Sequence, residues 1–339
     1  MSAGAHGDAG GDSPDAAPLE LFKAAYWTRF AGDMSECERR LAEVTGEPGG
    51  LLGESCSLTL AAGGKRLRPL LVFLSVPRDV RAGDGHHAAA AAVELVHMAT
   101  LVHDDILDGA DLRRGEPTLA AKYGRGTGTA AGDYLFSSAF RILAGAGSSR
   151  CVSLLSDASL DLSRGELLQK EQTCDIGLSG ADYLERCRLK TASLFSTACT
   201  LGALLSDCSE ETVAAMGEFG LNLGLAFQVA DDILDFSGDT GAIGKRAGTD
   251  LRDGTVTLPL VMAMKRDGSI GRLLGEREPG EPEIGEICRR VRDCGALEEA
   301  RGRAFGLVDR AIESLGTVTG ELDTAPLELI ARIAADRGA

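Results

Sequence analysis

The pentapeptide Asp-Asp-Ile-Leu-Asp occurs twice in this chain, at Asp104–Asp108 and at Asp231–Asp235, and no other feature limits the fold as much. Residues four apart on a helix lie one above the other, so Asp104 shares a face with Asp108, and Asp231 with Asp235. Like charges stacked this way weaken an isolated helix by about a few tenths of a kcal/mol per pair. Neither copy sits in the sequence of a solvated acidic face. Ala99-Thr100-Leu101-Val102 precedes the first, and Leu225-Ala226-Phe227-Gln228-Val229-Ala230 precedes the second. Two carboxylate rows on two apolar helices point to a cation between them. Oxygen-only ligands select a hard ion such as magnesium, which keeps its waters and is held by one or two carboxylates plus substrate phosphates. The rows therefore predict a phosphorylated substrate.

The rest of the chain reads as helix. Apolar residues three and four apart recur over 20–45, 51–62, 69–78, 88–108, 130–144, 151–170, 181–205, 210–236, 256–265, 283–293, 296–316 and 325–336, and alternation with period two is nowhere sustained. The fold class is all-α, and a single large helical bundle around a central cavity accommodates one core of this size. Breaks fall at 81–86, 109–117, 124–128, 145–149, 238–254 and 267–283, where Gly and Pro collect, and none separates two cores. Residues 1–19 hold almost no large apolar side chains and read as a disordered tail, leaving 20–339 as one domain. A net charge of -16 argues against a nucleic-acid partner. Nine cysteines without CxxC spacing fit reduced thiols in a cytoplasmic protein, and no secretory signal is evident. The longest apolar stretch, Ala88 to Val102, is too short for a membrane span and carries Glu94 and His97, so no transmembrane segment is expected.

Several polar residues stand near the two rows. His97 precedes Asp104 by two helical turns and reads either as a phosphate contact or as a satisfied core histidine. His103 lies on another side of the helix, where a structural role is expected. Glu94 and His97 match one ExxH element of a di-iron bundle, but the chain has no second one. Arg113 and Arg114, on a Gly-bounded loop after the first row, are placed either for surface ion pairs or to fork onto diphosphate oxygens. Gly63-Gly64-Lys65-Arg66-Leu67-Arg68-Pro69 lacks the Walker A pattern and reads as a helix start or as a phosphate grip by Lys65 and Arg68. Gly124–Gly128 follows a helical stretch rather than a strand, which rules out a dinucleotide fingerprint. Gln228 faces the same side as Asp231 and Asp235. Lys190, beside Thr191 in an apolar helix, needs an anion or a route to water. Lys245, Arg246 and Arg252 lie on a Gly-rich loop placed as a lid.

From about Glu20 to its end the chain resembles the trans-isoprenyl diphosphate synthases, or polyprenyl synthetases. The resemblance is carried by Gly63–Pro69, His97–Thr118, Lys190-Thr191 and Phe227–Asp235, in family order. It implies a homodimer of helical bundles in which Lys65, Arg68, His97 and Arg114 hold isopentenyl diphosphate. It also implies that Asp104, Asp108 and Asp231 coordinate about three magnesium ions on an allylic prenyl diphosphate, with Asp105, Asp232 and Asp235 completing the rows in support. Arg113, Lys190, Thr191, Gln228 and Lys245 would contact the allylic substrate. The family often carries a second lysine shortly after Lys245, where Thr249 stands here.

The implied reaction is metal-assisted ionisation of the allylic diphosphate, attack of the isopentenyl double bond on the cation, and loss of a proton. Lys190, Thr191 and Gln228 would present oxygens to the cation in a dry cavity. Product length would follow the depth of the shaft below Asp104, one helical turn of about 5.4 Å being close to one isoprene unit. Short-chain members carry aromatics at the floor. Here Thr100, Ala99 and Val96 leave it open, so the expected product has about twenty carbons or more, as in a quinone side-chain precursor. Other readings are a geranylgeranyl or shorter-chain synthase, a class I terpene cyclase and a regulatory subunit of a heteromeric synthase. Lys65, Arg68 and the second row count against the cyclase, and six retained aspartates count against the regulatory subunit.

Overall fold

The computed structural model describes residues 16–113, 115–146, 148–237, 248–274, 280–318 and 320–336. Sixteen α-helices are present among them: α1 (Ala16–Gly46), α2 (Gly50–Ala61), α3 (Leu67–Leu74), α4 (Asp84–Asp108), α5 (Leu119–Tyr123), α6 (Arg125–Gly145), α7 (Ser149–Glu171), α8 (Gly180–Cys187), α9 (Ser193–Leu205), α10 (Glu210–Ser237), α11 (Thr249–Arg252), α12 (Leu258–Arg266), α13 (Ser269–Leu274), α14 (Glu281–Asp293), α15 (Ala296–Ser314) and α16 (Ala325–Asp336). A π-helical turn, Arg188–Ala192, joins α8 to α9. The two-residue strands β1 (Leu112–Arg113) and β2 (Glu116–Pro117) pair antiparallel after α4.

Two long helices carry the architecture. α4 packs along α6 and also meets α1, α3, α7 and α9, while α10 packs between α9 and α15. The run Ala88–Ala92 explains how α4 accepts so many neighbours. Small side chains on every face let other helices approach, and all five alanines are buried. α4 ends where Gly109 enters the left-handed region at φ 64 and its N–H closes on the Asp105 carbonyl. The buried apolar side chains form one cluster that runs from Phe22 to Ala335.

The all-α expectation holds, with local differences. α1 starts at Ala16, so 16–19 are helical rather than tail, and the remaining 1–15 lie outside the described residues. Gly124 caps α6, which then continues through Gly126 and Gly128, and at Gly128 a Cβ would lie only 3.0 Å from the Ile106 side chain of α4. The expected breaks at 238–254 and 267–283 contain the short helices α11 and α13. The β1–β2 pair had no counterpart in the periodicity, which two-residue strands cannot show.

One expectation about membranes needs correcting. Among the described residues α10, not the stretch Ala88 to Val102, is long and apolar enough to cross a membrane by length and composition. Its apolar window is 56% buried inside the fold, against α9 and α15, and its last turns carry Asp231, Asp232 and Asp235. Those features belong to a core helix.

Candidate active site

Both aspartate rows lie at helix C-termini, the first ending α4 and the second in the last turns of α10, and neither helix has a basic residue in its last turn. The helix dipole places partial negative charge there, so each carboxylate is disfavoured by about 0.3–1 kcal/mol in addition to repulsion from its neighbour. Each row therefore depends on donors from elsewhere in the fold. In the first, Asp104 Oδ2 lies 3.9 Å from Lys190 Nζ, Asp105 Oδ1 accepts from Arg113 Nε at 2.7 Å, and Asp108 is paired with Lys170 of α7. Burial pushes the Asp104 carboxyl up to about 7; Glu166 and Asp108 add to that, and Lys190 opposes it.

The second row is held by hydrogen bonds. The buried Tyr183 hydroxyl donates to Asp232 Oδ2 at 2.6 Å, and Gln228 Nε2 donates to Asp232 Oδ1 at 2.7 Å. Thr191 Oγ1 donates to Gln228 Oε1 at 2.8 Å. Every proton in this chain of donors points towards Asp232, so the Thr191 oxygen keeps its lone pairs for the cavity it lines. Burial raises Asp232 to about 7 against the two hydrogen bonds that favour its ionised form. Asp235 accepts the backbone N–H groups of Thr249 at 2.9 Å and Asp250 at 3.1 Å, which ties α11 to the end of α10. Asp231 is exposed.

The π turn brings Lys190 and Thr191 to the cavity together. A Cβ at Gly165 of α7 would lie 2.5 Å from Lys190 N, and one at Gly224 of α10 would lie 2.6 Å from Ala192 Cα, so glycines on two helices clamp the turn from both sides. Sequence periodicity cannot show a π turn. The flag it did give was Lys190 itself, a charge in apolar surroundings. Its partner is Glu166, a buried carboxylate whose Oε2 meets Lys190 Nζ as an ion pair and whose Oε1 has no hydrogen-bond partner.

Lys190 lines two cavities. A polar cleft of about 230 Å³ is lined from both rows, by Asp108 and Asp232, together with Lys170, Lys190, Thr191, Gln228 and Asp250. Beside it an apolar groove of about 390 Å³ runs between α4, α6 and α7, past Thr100, Asp104, Ile106, Phe136, Leu162 and Lys190. Of the three residues expected at the floor, Thr100 lines this groove. Ala99 and Val96 are fully buried and are not among the lining residues. His103, expected to be structural, lies 3.3 Å from Asp133 and fills the space that Gly132 leaves on α6, while its other side faces the groove.

The basic cluster 63–69 divides its work. Arg66, held at φ 48, pairs with Glu38 at 2.6 Å and with the buried Glu94 at 2.9 Å, which makes it a structural residue. Arg68 lies 4.7 Å over the Phe195 ring, and its Nε is sealed from solvent without a hydrogen-bond partner. Burial pulls Arg68 down to about 10, with Glu94 opposing. A half-buried guanidinium whose Nε has no hydrogen-bond partner fits an anionic ligand. Lys65 is exposed on the turn before α3, and His97 is half-buried on α4, which packs against α3. Arg114, Lys245 and Arg246 lie outside the described residues.

The donor set suits magnesium, being all oxygen at the two rows. Among the described residues no three His, Cys, Asp or Glu side chains converge to cage an ion unaided. An ion here needs substrate oxygens, which is how magnesium is commonly bound. Sequence reasoning missed Tyr183, Glu166, Lys170 and Asp250. Asp250 lines the cleft and is raised well above the usual carboxylate range by burial, and further by Asp232, Asp235, Asp231 and Asp253.

The polyprenyl synthetase family model matches residues 50–289. Over 85% of its length the chain is 35% identical to heptaprenyl diphosphate synthase component 2 of Geobacillus stearothermophilus, covering 89% of that protein. It is 32% identical to octaprenyl diphosphate synthase of Escherichia coli, over 84% of this chain and 90% of that one. Among solved structures, heptaprenyl diphosphate synthase from Staphylococcus aureus superposes with a TM-score of 0.83 at 30% identity, covering 91% of this chain and 98% of the other. Decaprenyl diphosphate synthase from Rhodobacter capsulatus gives 0.83 at 29%, with 94% and 99% covered. The chain belongs to the polyprenyl synthetase family and has the all-α isoprenoid synthase fold.

Proposed function

We propose that this chain is a trans-polyprenyl diphosphate synthase that joins isopentenyl diphosphate head to tail to an allylic prenyl diphosphate, giving an all-trans product of about twenty carbons or more. The observation that carries this reading is that Lys190 lines two neighbouring cavities, a polar cleft lined from both aspartate rows and an apolar groove. Diphosphate fits the first and a growing hydrocarbon tail the second. Magnesium, when held by these carboxylates, would supply Lewis-acid neutralisation of the departing diphosphate. Asp104, Asp108 and Asp231 hold the ions, and Asp105, Asp232 and Asp235 keep the rows in place. Arg113, Lys190 and Lys245 meet the allylic diphosphate, while Lys65, Arg68, His97 and Arg114 bind the isopentenyl one. Thr191 and Gln228 aim oxygen dipoles at the carbon where positive charge develops, and the groove excludes water that would quench it.

Residues 20–339 form one catalytic domain, supported by the continuous apolar core. Nine free thiols support work in the cytoplasm. A homodimer is supported by Leu107 and Leu167 of the groove and by Leu160 of α7, each more than half exposed. A second reading, the catalytic component of a two-chain synthase, draws on the name of the Geobacillus relative. The purified chain, given magnesium, isopentenyl diphosphate and a set of allylic primers, decides between them. Elongation by the chain alone, with products sized by chromatography, supports the first reading, and activity only with a second protein supports the other.

A further inference from the structure

Lys170 belongs to none of the motifs that carry the family resemblance, yet it lines the polar cleft from the last turn of α7. Its ammonium is paired with Asp108, and its side chain is 40% exposed, so it is free to swing. The other cations that line the cleft are more tightly committed. Arg186 donates to Gln172 at 3.0 Å and to the Val256 carbonyl at 2.6 Å, and Lys190 is paired with the buried Glu166. Asp108 cannot serve an ammonium and a divalent ion equally, because two cations on one carboxylate repel. An ion at Asp108 therefore releases Lys170 into the cleft, towards the wall formed by Gln228, Asp250 and Thr255.

We propose that Lys170 is a further diphosphate-binding residue, which exchanges Asp108 for a diphosphate oxygen when a divalent ion takes that carboxylate. This rests on the prenyl-transfer reading of the site. It makes the first aspartate row and the leaving-group pocket alternate partners of one lysine, so that ion binding at Asp108 creates an anion contact. Lysine suits the task, since a compact ammonium on a flexible stem changes partners more readily than a forked guanidinium.

The test is calorimetric and uses the full chain with magnesium chloride, with and without inorganic pyrophosphate. Lys170→Gln should weaken magnesium-dependent pyrophosphate binding about tenfold, the usual effect of losing one charged hydrogen bond. In the same variant magnesium alone should bind as tightly as in the wild type or more tightly, because Asp108 loses its competitor. Lys170→Arg should restore most of the pyrophosphate affinity. Wild-type pyrophosphate binding by Lys170→Gln would overturn the inference. A parallel loss of magnesium and pyrophosphate binding would also overturn it, since Lys170 would then only shape the carboxylate row. If the wild-type chain shows no magnesium-dependent pyrophosphate binding, the prenyl-transfer reading falls as well.

Discussion

The same five residues end α4 and α10, but their surroundings give them different work. Around Asp104–Asp108 the partners are charged side chains, Lys190, Arg113 and Lys170, which can exchange one carboxylate for another anion. Around Asp231–Asp235 they are hydrogen bonds from the buried Tyr183, from Gln228 and from the backbone of α11. One row is built to trade partners with ions and diphosphate. The other is a rigid frame that aims Gln228 and Thr191 and leaves only Asp231 exposed.

The largest expected effect breaks the comparison at its centre. Asp104→Asn should lower kcat/KM about a thousandfold or more, as removal of a preorganised electrostatic contact does. Asp235→Asn keeps an oxygen for the α11 backbone and should cost about tenfold or less. Equal losses in steady-state assays of the two variants would show that the rows are equivalent. Tyr183→Phe sharpens the claim for the second row. It should lower kcat about tenfold by loosening Asp232 and hence Gln228, with the KM for isopentenyl diphosphate unchanged. A shift in that KM instead would place the effect outside the Thr191–Gln228 pair.

Thr100→Phe, on the groove wall, should shorten the product by about one or more isoprene units, each close to a helical turn, at little cost in stability. Ala99→Phe starts from a fully buried position and should also lower the melting free energy by about 1–3 kcal/mol through overpacking. Product chromatography and thermal melts of both variants separate a groove wall from a packed core.

The smallest effect concerns pH. Asp104 and Asp232, raised to about 7, hold protons in the folded chain that an unfolded chain has already lost at pH 5 to 7. Proton uptake on folding makes stability fall as pH rises through that window, the reverse of an ordinary ion-paired carboxylate. Magnesium displaces those protons, so with the ion present the slope should flatten or change sign. Melting curves at pH 5.5 and 7.5, with and without magnesium, read this directly.

The sequence carried much of this because the chemistry here depends on spacing that helices preserve. Asp104, Asp108, Asp231 and Gln228 could be placed on helix faces from the 3.6-residue period alone. The lysine in the π turn was visible through its mismatch with apolar neighbours. Contacts between distant segments were not legible. Tyr183 lies 49 residues from Asp232, and Lys170 lies 62 from Asp108, and nothing local marks either as a partner. Glu94 stands three residues before His97, whereas its observed partner is Arg66, 28 residues earlier. The positions of Ala99 and Val96 could not be read because a helix period names a face without saying which neighbour covers it.

The most direct test is a crystal structure of the chain with magnesium and an allylic diphosphate whose bridging oxygen is replaced by sulfur, so that it cannot ionise readily. The account predicts ions that join Asp104 and Asp108 on one side and Asp231 on the other to a single diphosphate, with the hydrocarbon tail in the groove past Thr100. Ions confined to one row, or a tail directed away from that groove, would contradict it.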